Sequence, residues 1–146
     1  MDRLPSKCAL IRRNIAVQND LCVFCGEIAE TCEHIFVTCQ VAQIVWQNVA
    51  AWCKIPPIFA FGVSDLLNPT GVSTNTRKKR KAVHAVILVT FWSLGKMRNE
   101  SVFKQAIPNI TKILDEIKAM AYLWVKNRSK MVALTWENWC WFEIGA

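Results

Sequence analysis

Four residues in the first third of the chain have the types and spacing to hold one metal ion. Cys22 and Cys25 are separated by two residues, and His34 and Cys39 follow, giving C-x2-C-x8-H-x4-C. Two intervening residues let both thiolates reach a single ion from a tight turn, and Gly26 follows where such a turn often needs a positive φ. His34 and Cys39 complete a set of three sulfurs and one nitrogen, a common structural arrangement for Zn2+. Thiolate donors favour zinc over magnesium, calcium or manganese, and the imidazole counts against iron. Cys32, two residues before His34, is an alternative fourth donor. His34 is preferred, because Cys32 also fits as a small buried residue. With all four positions filled by protein, no place is left for water or substrate, so such an ion is structural.

Other chemistries fit these residues less well. Redox use of Cys22 and Cys25 needs a βαβ setting, and no such alternation occurs. Retroviral knuckles place four residues between the second Cys and the His, whereas eight stand here. The second histidine, His84, lies in an apolar run from Ala82 to Leu94 and reads as a core residue. Asp115-Glu116 are the only adjacent acids, on the polar side of a helical pattern, so a two-ion phosphoryl-transfer site is not expected. The chain reads as a non-enzyme.

The elements that must position the cluster are mainly helical. Val41, Val45, Val49 and Trp52 recur at helical spacing, which predicts a helix over 41–52, stopped by Pro56-Pro57. Ile110, Ile113, Leu114, Ile117, Ala121 and Trp124 form one apolar stripe, with Lys112, Asp115, Glu116 and Lys118 on the other side. Pro108 precedes this helix, where a missing amide hydrogen does little harm. The run 82–94 predicts a second buried helix, paired with the first as a hairpin. It covers only about 20 Å, short of the roughly 30 Å of a bilayer core, so no membrane span is expected. Period-two alternation is scarce and sheet content should be minor. The fold class is mainly α: a small zinc-stabilised C-x2-C…H-x4-C module over 1–53, then a connector over 54–80, rich in Pro and Gly and ending in a basic run. A helical hairpin region over 81–146 follows, with a Trp-rich tail. Trp136, Trp139, Trp141 and Phe142 of that tail are expected in the core or against a partner.

At 146 residues the chain has the size of one ordinary domain, and its 53% hydrophobic composition argues against disorder. Most of the net charge of +7 sits in five consecutive residues, Arg77, Lys78, Lys79, Arg80 and Lys81. These, with Arg12 and Arg13, are the candidate nucleic-acid contacts, set against a solvated connector and a nuclear-import signal. Asp20, Glu27, Glu30 and Glu33 surround the cysteine cluster and make it a poor attractor for phosphate. Seven cysteines, an odd number, follow an N-terminus without a leader-like apolar segment. An intracellular, reducing location is expected, and the basic run points to the nucleus.

Arg3-Leu4-Pro5-Ser6-Lys7 with Leu10 and Arg12-Arg13, then Cys22-x2-Cys25-Gly26, Glu33-His34, Cys39 and Trp46, resemble the reverse-transcriptase zinc-binding domain. That domain follows the polymerase in plant LINE-type (non-LTR) retrotransposon polyproteins and also occurs in isolated derivatives. The resemblance covers residues 3–53. Downstream, Phe91-Trp92, Leu94, Lys96, Arg98-Asn99 and Phe103 look like the W-x-x-W-x-x-R-N-x-x-x-F stretch of such proteins, with Gly95 in place of the second Trp. The apolar helix that usually precedes the R-L-P segment is absent, so the domain reads as N-terminally truncated. The resemblance implies zinc ligation by Cys22, Cys25, His34 and Cys39 and a role alongside RNA or DNA. The alternative is a zinc-stabilised protein-interaction module without nucleic-acid affinity, which would use the apolar helices and the Trp-rich tail. A third reading is a retroelement remnant with no retained activity.

Overall fold

The computed structural model describes residues 6–14, 19–55, 77–128 and 133–144. Helix α1 (Lys7–Arg12) is followed by an irregular loop and a π-helical turn (His34–Thr38). Helices α2 (Gln40–Cys53), α3 (Arg77–Phe103), α4 (Ile110–Arg128) and α5 (Trp136–Cys140) complete the order. The described residues contain no strand, only an isolated antiparallel bridge between Leu21 and Ala29. The fold is mainly α, with a cysteine-histidine module ahead of a helical hairpin.

Helix α2 buries Ala42, Val45, Trp46, Val49, Ala50 and Cys53, leaving Val41 and Trp52 at the edge of that face. It ends where Lys54 turns left-handed at φ 57. The hairpin joins α3 to an antiparallel α4, with Lys96 Nζ and Glu116 Oε1 2.8 Å apart. The α4 start is capped by Asn109, whose side-chain oxygen accepts from the Lys112 amide at 3.0 Å. Ile113, Ile117, Ala121 and Val125 make its buried stripe. The helix runs a turn past the expected end, to Arg128, where Lys126 and Arg128 suit the negative end of the helix dipole.

Two features differ from the sequence expectations. The helix expected over 82–94 runs from Arg77 to Phe103, so the basic run forms its opening turns. Lys and Arg are good helix formers, and the breaking residues all lie upstream. Most of the proposed connector, 56–76, lies outside the described residues. His84, expected in the core, is exposed. On a helix its apolar sequence neighbours face elsewhere, and His84 shares an outward stripe with Arg77, Lys81 and Trp92.

One buried cluster runs from Cys22, Phe36 and Cys39 through Val49 and Leu94 to Ile117, Trp139 and Phe142. Phe91 stands edge-on to Phe36 at 5.5 Å and to Trp46 at 5.3 Å, joining the metal-side segment to α3. At the other side Trp139 is fully buried, donates to the Lys118 carbonyl at 2.8 Å and meets Trp52 edge-on at 5.2 Å. Trp136 and Trp141 remain exposed, so the aromatic tail is divided between core and surface. Among the described residues, no helix is long and apolar enough to cross a membrane.

Candidate metal centre

The first pair of donors sits on a tight turn. The Gly26 amide donates to the Cys22 carbonyl at 2.8 Å, and the Phe24 amide points at Cys22 Sγ at 3.3 Å. Gly26 has φ +70, and an added Cβ would meet nothing within 4 Å, so glycine is favoured by conformation and not by space. The second pair sits on the π-helical turn. Thr31 Oγ1 accepts from the His34 amide at 3.0 Å, and the Cys39 amide donates to the His34 carbonyl at 2.8 Å. That five-residue reach is the π pattern, and it matches the H-x4-C spacing. Helix α2 reaches back to secure the turn: Trp46 Nε1 donates to the Phe36 carbonyl at 2.7 Å, and Gln43 Nε2 donates to the Val37 carbonyl.

The four donors converge. One ligand atom from each of Cys22, Cys25, His34 and Cys39 lies within 4.8 Å of all the others. Cys25 Sγ is 3.3 Å from His34 Nε2, and Cys22 Sγ is 3.9 Å from Cys39 Sγ. A zinc tetrahedron with usual bond lengths has edges of about 3.8 Å between sulfurs and about 3.6 Å from sulfur to nitrogen. The donor set therefore fits an ion of that size. His34 Nδ1 lies 3.1 Å from Thr38 Oγ1, which leaves Nε2 directed at the sulfurs. Such an outer hydrogen bond fixes a ligating ring. Cys22, His34 and Cys39 are buried and Cys25 is half-buried. The hydrogen bond from Cys22 holds the Cys39 thiol below its ordinary value, and the Val41 and Ala42 amides at the α2 start add to this. The same bond, with burial, pushes the Cys22 thiol up. A cation bound by the four donors would take the place of this sulfur–sulfur hydrogen bond. Cys32 is buried nearby but lies outside the cluster, so His34 and not Cys32 meets the other three. Cys53 is also apart, its thiol pushed up to about 12 by burial.

Sequence reasoning missed the residue that anchors this module. Glu30 was grouped with the surrounding acids, yet it is fully buried and ion-paired with Arg98 of α3, Nη2 to Oε1 at 2.5 Å. Arg98 Nε lies 3.2 Å from the same oxygen. Glu30 Oε1 also accepts from the Lys7 amide at 2.8 Å, and Oε2 accepts from the Val23 amide at 3.3 Å. One carboxylate thus ties α1, the Cys22–Cys25 turn and α3 together. Thr38 was missed as well, although its position four residues after His34 was a usable signal.

The basic run among the candidate nucleic-acid residues is not brought to the metal centre. Arg77, Lys78, Arg80 and Lys81 are exposed and Lys79 is half-buried. The metal-side segment meets α3 near Phe91 and Gly95, where Gly95 lies against the Phe36 ring. Lys81 and Gly95 are about 21 Å apart along the helix. Arg12 and Arg13, also exposed, close α1 on the side of the metal module.

Residues 1–46 match a family model described as zinc-binding in reverse transcriptase, a span that includes all four donors. No curated protein and no solved structure matches the chain.

Proposed function

We propose that the chain is a non-catalytic, zinc-stabilised module that associates with nucleic acid and derives from a plant LINE-type reverse transcriptase. The observation that carries this reading is the convergence of Cys22, Cys25, His34 and Cys39 inside the segment that matches a reverse-transcriptase zinc-binding family. Zinc at this place would supply a four-way cross-link and no open coordination position. Cys22 and Cys25 would bind from the turn, His34 from the π turn with its ring set by Thr38, and Cys39 from the start of α2. The nucleic-acid half rests on the exposed cations Arg77, Lys78, Arg80, Lys81, Arg12 and Arg13, with Lys79 beside them. A reducing, nuclear setting accords with free thiols and a lysine-arginine run.

The test is binding of RNA and DNA by the metal-loaded chain at a series of salt concentrations. Affinity should fall steeply as salt rises, since each neutralised phosphate releases counterions. The second reading, a protein-interaction module, is favoured by the exposed apolar side chains Met120, Leu123 and Trp124 on α4. Absence of binding to either nucleic acid at low salt would leave that reading in place of the first.

A further inference from the structure

We propose that the end of the hairpin formed by the opening turns of α3 and the last turn of α4 is a binding surface for single-stranded nucleic acid. In it Arg77, Arg80, Lys81 and Arg128 engage phosphates, and the Trp124 ring stacks a base. This inference rests on the nucleic-acid reading above and assigns that reading a place and a strand form.

Three observations carry it. The first is charge brought together by the fold. The register set by Lys96 and Glu116 places His84 level with Arg128, so the basic run of α3 continues past the α4 terminus that carries Lys126 and Arg128. These two groups are distant in sequence and share one end of the hairpin. The second is that folding does not call for this charge. The first turn of α3 holds no acid, and cations at a helix N-terminus oppose its dipole. Arg77, Arg80 and Lys81 make no ion pair with any described carboxylate. The third is an aromatic face beside one of these cations, Arg128. Trp124 is 45% exposed, and the Arg128 guanidinium lies 5.3 Å from its ring centroid. Cations that track a backbone, next to aromatic rings that take bases, are the working parts of single-strand binding surfaces.

The same features disfavour other partners. Paired bases in a duplex leave no face for Trp124 to stack. An acidic polypeptide would use the charge but not the ring. The metal module is a poor rival site, because Asp20, Glu27 and Glu33 are exposed around it.

Fluorescence anisotropy of the metal-loaded full chain tests the proposal. The probes are a twelve-residue oligouridylate, an oligothymidylate of equal length and a twelve-base-pair duplex, each across a salt series. Both single strands should bind more tightly than the duplex, and their ratio tells RNA from DNA. The triple variant Arg77→Gln, Arg80→Gln, Lys81→Gln should flatten the slope of log K against log salt by about 2, at roughly 0.7 per phosphate contact. Trp124→Ala should weaken single-strand binding about tenfold with little change in slope. Both variants should keep the wild-type zinc content. The triple variant should melt no lower than wild type, since it removes charge opposed to the helix dipole. Preference for duplex, unchanged slope in the triple variant, or equal binding of anionic vesicles or polyglutamate overturns this surface while nucleic-acid association stands. No binding by the wild-type chain overturns both.

Discussion

Glu30 and Arg98 show how much a single contact can matter here. A buried carboxylate without its cation is costly, so Arg98→Met is expected to destabilise the metal-loaded chain by about 3–5 kcal/mol in urea unfolding. Adding Glu30→Gln to that variant should recover part of the loss, because the stranded charge disappears with it. Equal loss in the single and double variants would show that the pair does not act as described. Neither residue was legible as a partner in the sequence: the two lie 68 positions apart, and no local pattern links them. The four candidate donors were legible, because spacing alone decides which side chains a tight turn and a short helical segment can bring to one point. His84 misled for the opposite reason. Its sequence neighbours are apolar, but a helix sorts neighbours onto different faces, and His84 is exposed.

At the scale of elements, periodic signals survived folding and boundaries moved. The stripes of α2 and α4 were readable because each buries one continuous face, as Val45 and Val49 or Ile113, Ile117 and Ala121 do. The start of α3 was not, since a basic run looks alike in a loop and in a helix. The Trp-rich tail was ambiguous because α5 is only five residues long, too short for a period to show. The buried Trp139 and the exposed Trp141 of this tail make opposite predictions. Trp139→Ala should cost about 3–5 kcal/mol, as for a fully buried aromatic that also loses a hydrogen bond. Trp141, 67% exposed, should tolerate alanine within about 0.5 kcal/mol. Urea midpoints of the two variants decide this, and equal losses would mean that the tail packs in another way.

Across the whole molecule, composition divided the chain into pieces, while burial joins the metal-side segment and the hairpin in one cluster. The joints are Phe36 against Phe91, Glu30 with Arg98, and Trp46 over the π turn. Between residues 19 and 39 the backbone holds only an isolated bridge and one helical turn, so side-chain cross-linking has much to fix there. Zinc supplies roughly 10–16 kcal/mol in isolated finger peptides, ample for a segment of this size. The most direct test is zinc content per chain by elemental analysis, in wild type and in single variants of the five candidate side chains. One zinc per chain is expected in wild type and in Cys32→Ala, with loss in Cys22→Ser, Cys25→Ser, His34→Ala and Cys39→Ser. A wild-type chain without zinc, or full zinc in Cys39→Ser, would contradict the account.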